Sequence, residues 1–277
     1  DRKKYTQLTY SSISKLENNN FIDIVDYITD SPDRKYAVIK INYEGRLYIL
    51  KVCDPLSPKY FKDLFNTEYL FYKKHKEGLV HKYYSGEYFY MIDFIDGETL
   101  GDHLFSDTNS KINFIEVFKC IDLFYKTYRQ NNESIKYTNL FYYANVLFSS
   151  GPRQNTNKTR NGKIAFVIKQ ICVLSLHIIT FTLKFRNTET FLPGLSHGDL
   201  HYNNVLISNT GPEIIDFKNI RSNEFFLFDI IFLLTIIEKK TNLNDDLQDI
   251  KSKYLSSWES LVVYKIFKIL ANFNSRF

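Results

Sequence analysis

Residues 196–207 read SHGDLHYNNVLI, in which two histidines, an aspartate and two adjacent asparagines stand before an apolar run. Set out by spacing, His197, Asp199 and Asn204 make H-x-D-x-x-x-x-N, and Asp216 follows twelve residues after Asn204, behind Ile214 and Ile215. Side chains of these types can divide one task. A carboxylate at Asp199 can accept a hydrogen bond, and the proton, from an attacking hydroxyl. The amide of Asn204 can turn back across the same loop to a Mg2+ ion, and Asp216, on the next strand, can grip the same ion. Mg2+ prefers oxygen ligands and keeps several waters, so one carboxylate and one amide are a sufficient protein share. Singly, Asp199 and Asn204 could equally be turn formers that satisfy their own backbone. The joint pattern argues otherwise.

The protein-kinase catalytic loop is written H-R-D-x-x-x-x-N and is followed by D-F-G. Here the aspartate-to-asparagine spacing is the same, Gly198 stands in place of the arginine, and IIDFKN stands in place of D-F-G. With those changes HGDLHxxNVLI…IIDF resembles the aminoglycoside phosphotransferase and choline kinase group, the small-molecule branch of the protein-kinase-like fold. It is also similar to the lipopolysaccharide core sugar kinases, which show a like order of GR-x-x-x-LKV, a DG hinge and GD-x-H-x-x-N. The resemblance runs in order along essentially the whole chain, and the catalytic region is its specific part.

That resemblance implies a phosphotransferase, in which positioning and neutralisation of phosphate charge matter more than covalent catalysis. Asp199 would orient or deprotonate the acceptor, Asn204 and Asp216 would hold metal, and His197 would support the loop backbone. The third N-terminal strand should supply a phosphate-binding lysine, and Lys51 ends RLYILKV. Its acidic partner should lie on the following helix, where Glu68 is best placed and Asp63 is the alternative. Adenine should meet the main chain of the hinge at 92–96, through Asp93 and Ile95. Asp229, thirteen residues beyond Asp216, is expected to brace the catalytic loop. His201 is expected to be a hydrogen-bonded loop residue. Pairing it with His197 as a metal site lacks a third soft ligand. Two features depart from the pattern. The segment TDSPDR (29–34) carries no glycine, although Ser31 or backbone amides there could touch phosphate. No A-P-E follows Asp216, which counts against an ordinary protein kinase.

These residues need elements to position them. FIDIVDYI, KYAVIKINY and RLYILKV predict three strands rich in β-branched and aromatic residues, with EG (44–45) as a tight hairpin between the second and third. A helix is predicted over 57–78, with Ser57 as N-cap, Pro58 in the first turn and Gly78 as the stop. HKYYSGEYFYMIDFIDG supplies two further strands. Beyond Gly97, residues 112–130, 134–148, 164–186 and most of 226–277 read as helical. The expected fold is therefore α+β and two-lobed. An antiparallel five-stranded lobe with one helix spans 1–96, and a mainly helical lobe with the catalytic loop and acceptor site spans 97–277.

Composition narrows the partners. The formal charge of +5 permits a nucleotide but falls short of a dedicated nucleic-acid binder. Cys53, Cys120 and Cys172 form no C-x-x-C, so no disulfide framework or zinc site is indicated and a reducing, cytoplasmic setting is expected. The run 164–185 has the length of a membrane span, but Lys169 and Lys184 interrupt it, at roughly 2.5–3.5 kcal/mol for a lysine near mid-bilayer, and a buried helix fits better. The chain opens on Asp1 and its one methionine is Met91, so a segment is expected to precede it, and any targeting signal there is unread. The basic loop 152–163 is a solvated surface or a contact with an anionic acceptor or the inner face of a membrane. The acidic residues Asp245, Asp246 and Asp249 would suit a cationic acceptor, or simply a helix N-terminus.

The expected activity is transfer of the γ-phosphate of ATP or GTP, with Mg2+, to a hydroxyl. A sugar of a bacterial surface glycan such as lipopolysaccharide core is the first acceptor. An aminoglycoside or choline-type alcohol is second, and a protein third. A pseudokinase acting as a binding module is the competing class, and no nucleic-acid partner is expected.

Overall fold

The computed structural model describes residues 22–29, 36–54, 56–75, 83–85, 89–106, 112–128, 168, 171–172, 175, 194–224, 226–241 and 245–272. The turn at 30–34, Gly78, the helix expected over 134–148, the basic loop 152–163 and most of 164–186 lie outside these residues. The same holds for the side chain of Asp245. By its contacts the chain divides into two compact units, Asp1–Asp96 with Phe217–Asn219, and Gly97–Asp216 with Ile220–Phe277.

The first unit carries a five-stranded antiparallel sheet in the order β1-β2-β3-β5-β4. Its strands are β1 (Ile22–Thr29), β2 (Tyr36–Tyr43), β3 (Arg46–Cys53), β4 (Tyr83–Ser85) and β5 (Phe89–Asp93). Glu44 and Gly45 take φ of 52° and 77°, a two-residue type I′ turn whose twist matches the flanking strands. Alternation then sorts the sheet into faces. Ala37, Ile39, Ile41 and Tyr43 of β2 are buried with Tyr48, Leu50 and Val52 of β3 and with Phe89 and Met91 of β5. Lys51 and its register partner Tyr90 point the other way, toward α1 (Lys59–His75). Phe65, Tyr69 and Tyr72 of that helix meet the Tyr90 ring at 5.0, 6.2 and 5.9 Å. The helix begins as the Pro58 carbonyl accepts the amides of Phe61 and Lys62.

The second unit begins with β6 (Gly97–Thr99), α2 (Leu100–Phe105) and α3 (Phe114–Thr127). Then come β7 (Gly194–Ser196), a 3-10 turn at Tyr202–Asn204, β8 (Val205–Ser208), β9 (Gly211–Ile214) and β10 (Arg221–Glu224). Helices α4 (Leu227–Lys240), α5 (Asp245–Tyr254) and α6 (Trp258–Asn272) follow. Two small antiparallel sheets, β6-β8-β9 and β7-β10, frame the motif region. Leu227 to Ile237 are buried without a break, as befits a helix apolar all round at the centre of its unit. Phe232 packs edge-on to Phe267 of α6. The Glu238 carboxylate at the far end of α4 gathers Lys251, Tyr264 and Lys268 from α5 and α6. Among the described residues no helix is long and apolar enough to cross a membrane.

Candidate active site

In the first unit Lys51 and Glu68 form a buried ion pair, Nζ to Oε1 at 2.7 Å, with side chains 9% and 4% exposed. The local cause is register. Lys51 lies on the face of β3 that α1 covers, and Glu68 sits on the buried stripe of α1 with Phe65, Phe71 and Tyr72. Asp63, on the same helix, is exposed, so the open choice of partner falls to Glu68. Glu68 Oε1 also accepts the Phe217 main-chain N–H at 3.2 Å, and the Phe217 ring packs 4.5 Å from Phe71. Desolvating a charge pair is costly unless extra hydrogen bonds complete it, and the Phe217 amide supplies one.

The hinge candidates close this unit. Asp93 pairs in register with Tyr48, and the Phe94 N–H donates to the Leu47 carbonyl at 3.2 Å. Antiparallel pairing alternates, so the main-chain groups of Asp93 face away from β3, on the β4 side of the sheet. Ile95 follows in the irregular stretch 94–96, half-buried.

In the second unit Asp229 is fully buried in the first turn of α4. Its Oδ2 accepts three hydrogen bonds, from Tyr125 Oη at 2.6 Å, Ser196 Oγ at 2.8 Å and the His197 main-chain N–H at 2.7 Å. Burial, then the charge of Asp229, push the Tyr125 hydroxyl well above its ordinary pKa, so it stays a donor. His197 is also fully buried. Its Nδ1 accepts the Asp199 N–H at 3.3 Å, so Nε2 carries the proton and donates to the Ile215 carbonyl at 2.9 Å. One imidazole thereby ties the loop to the strand that leads to Asp216. Between them Gly198 takes φ 76°, left-handed backbone that a side chain disfavours.

Asn204 Nδ2 donates to the Asp199 main-chain carbonyl at 2.7 Å, which leaves the amide oxygen outside that bond. Asp216 is half-buried with φ 66°, uncommon for a residue other than glycine, and such outliers gather at functional sites. One carboxylate and one amide oxygen are hard ligands of the kind Mg2+ takes, so these residues fit that ion.

The loop also has a floor that the sequence did not advertise. A Cβ built on Gly101 of α2 would stand 2.1 Å from Asn203 Oδ1 and 2.6 Å from the Tyr202 ring. Alanine normally favours a helix over glycine by about 1 kcal/mol. Gly101→Ala is nonetheless expected to destabilise the fold by roughly 1–3 kcal/mol and to slow turnover, because the Asn203 and Tyr202 side chains must turn aside. Thermal denaturation beside the wild type checks this.

Three contributors were missed by sequence reasoning. Phe217 was visible only as an aromatic after Asp216. Tyr125 lies on α3 among the buried aromatics Phe114, Phe118 and Phe124, and its partner Asp229 is 104 residues away. Ser196 carried no signal beyond its place beside His197.

The fold these units make is protein-kinase-like, of the form found in choline kinases and aminoglycoside phosphotransferases. The choline kinase LicA from Streptococcus pneumoniae superposes with a TM-score of 0.59 at 16% identity, covering 97% of this chain and 88% of that one. A choline kinase from Cryptosporidium parvum gives 0.54 at 12% identity, over 99% and 87% of the two chains. Spectinomycin phosphotransferase, in complex with ADP and spectinomycin, gives 0.51 at 14% identity, over 94% and 84%. No protein-family model matches the chain, and no curated protein matches its sequence.

Proposed function

We propose that this chain is a phosphotransferase that moves the γ-phosphate of ATP or GTP to a hydroxyl of a small molecule, with Mg2+. The observation that carries the reading is the internal tie of the catalytic loop. Asn204 Nδ2 donates to the main-chain carbonyl of Asp199, which holds these two side chains at a fixed spacing on one loop and leaves the Asn204 amide oxygen outside that bond. Asp199 accepts a hydrogen bond from the acceptor hydroxyl and takes its proton as the oxygen attacks. Lys51, held in place by Glu68, contacts the α- and β-phosphates. Asp93 and Ile95 offer main-chain groups to the base. Asn204 and Asp216 would hold Mg2+, which supplies neutralisation of phosphate charge when bound. Asp229 and His197 keep the loop in shape.

Two acceptor classes are in view. The superposed structures described above are two choline kinases and a spectinomycin phosphotransferase, which favours an alcohol that also carries an amine. The glycan acceptor, such as a sugar of lipopolysaccharide core, rests on the sequence resemblance alone. A site at the cytoplasmic face of a membrane, through 152–163, belongs with that second reading.

Asp216→Ala is expected to abolish Mg2+-dependent nucleotide binding, and Asn204→Ala to weaken it. Titration calorimetry with ATP and GTP, with and without Mg2+, checks both. Binding by Asp216→Ala as tight and as Mg2+-dependent as in the wild type would remove Asp216 from the metal site.

A further inference from the structure

Lys40, on β2, has no part in the roles above. In register Val38 lies opposite Lys51, and Lys40 lies opposite Ile49, whose partner on β5 is Ile92. Cross-strand partners share a face of the sheet, as do residues two apart on one strand. Lys40 therefore points to the side of Lys51 and lies two residues, about 7 Å, nearer the hinge. Burial falls off along that line. Lys51 and Tyr90 are buried, whereas Lys40, Ile49, Ile92 and Phe94 are half-buried.

The Lys40 ammonium stands 3.7 Å from the centroid of the Phe94 ring, well within the range of a cation on an aromatic face. Strands β2 and β5 flank β3, roughly 9–10 Å apart, so the lysine stem and the ring together bridge β3 on this face. Phe94 itself sits between Asp93 and Ile95, the two residues whose main chain is assigned to the base. The ring holds the stem in one place. It takes up one side of an ammonium that has three N–H donors and leaves the rest for oxygen or nitrogen acceptors.

We propose that Lys40 binds the nucleoside half of the phosphate donor, its ammonium, seated on Phe94, donating to the base or ribose. The proposal rests on the phosphotransfer reading. Lys51 takes the phosphates at one end of this face, and Lys40 lies toward the other end, where the hinge meets the base. Purine ring nitrogens and ribose hydroxyls are acceptors of the kind an ammonium needs. Ile49 and Ile92 beside it give the apolar surface on which a flat base rests. Because Phe94 already fixes the stem, little side-chain freedom is lost on binding.

Titration calorimetry with Mg2+-ATP separates this role from packing. Lys40→Met keeps an unbranched stem on the ring and removes the donors. It is expected to weaken ATP binding about tenfold, the worth of a hydrogen bond from a charged donor, with the thermal midpoint unchanged. Lys40→Arg, which keeps charge, donors and stacking, should recover most of the loss. Phe94→Leu releases the stem and should weaken binding less than Lys40→Met does. A Lys40→Met chain that binds ATP as tightly as the wild type overturns the proposal.

A second measurement asks which half of the nucleotide Lys40 meets. In protein labelled with 13C at the lysine ε carbon, the Lys40 resonance is identified by its loss in Lys40→Met. The ring current of Phe94 should displace it, and Phe94→Leu should return it toward its ordinary position. Adenosine, which carries no phosphate, should move the resonance, and Mg2+-tripolyphosphate should not. The reverse pattern, or a resonance that adenosine leaves in place, would overturn the assignment to the nucleoside. A wild-type chain that binds no nucleotide would overturn the phosphotransfer reading and this proposal together, whereas a failure confined to Lys40→Met leaves that reading standing.

Discussion

Replacing Asp199 by alanine is expected to lower turnover by about 10²- to 10⁴-fold, the usual worth of a positioned general base, and to leave nucleotide binding in place. The reason lies in which atoms of residue 199 the loop uses. His197 Nδ1 accepts its main-chain N–H, and Asn204 Nδ2 donates to its main-chain carbonyl. Both bonds survive loss of the carboxylate, so the loop keeps its shape and Asn204 keeps its orientation. Lys51 and Glu68 are untouched, because their pair lies in the other unit. Side-by-side measurement of kcat, ATP affinity and thermal midpoint checks all three parts. A large fall in stability would instead give Asp199 a structural role.

Asp229→Ala has the opposite signature. The substitution leaves the Tyr125 hydroxyl, the Ser196 hydroxyl and the His197 amide without their shared acceptor, in a part of the core where Ser196, His197 and Asp229 are fully buried. An orphaned buried donor costs about 1–3 kcal/mol, so a loss of roughly 3 kcal/mol or more is expected, with activity lost alongside. Asp229→Asn, which keeps an oxygen and the volume, should fare better. Tyr125→Phe and Ser196→Ala each remove one donor together with its need and should cost about 1 kcal/mol. Denaturant unfolding of the four variants tests the network. If Asp229→Ala costs no more than Tyr125→Phe, the carboxylate is not the brace of the loop.

How much of this was legible in the sequence differs from element to element. Strand β2 alternates cleanly, β3 is buried on both faces from Leu50 to Cys53, and the turn between them needs only its two residues, so their positions could be read from local pattern. The same alternation put Lys51 on one face of the sheet. It could not say which acid on α1 would meet it, because that depends on which face of the helix is buried. Glu68 and Asp63 are five positions apart, and only Glu68 lies on the covered stripe. The catalytic loop was visible as spacing, since the turn from Asp199 to Asn204 is local. Its supports were not. Tyr125 and Asp229 meet across 104 residues, and Gly101 lies under the loop from a helix nearly as far away in sequence. Long-range partners leave no periodic trace. Asp216 shows the intermediate case, because its place could be read but its left-handed backbone could not.

The central claim is tested most directly by incubating the chain with Mg2+ and γ-labelled ATP or GTP, with Asp199→Ala beside it. The acceptors offered are choline, aminoglycosides, core oligosaccharides and a general protein substrate. The account predicts that label moves to one small-molecule pool, choline or aminoglycosides ahead of the oligosaccharides, and that Asp199→Ala fails to move it while still binding nucleotide. Failure of the wild-type chain to bind either nucleotide in the presence of Mg2+ would contradict the account, and the loop at 197–204 would then belong to a pseudokinase.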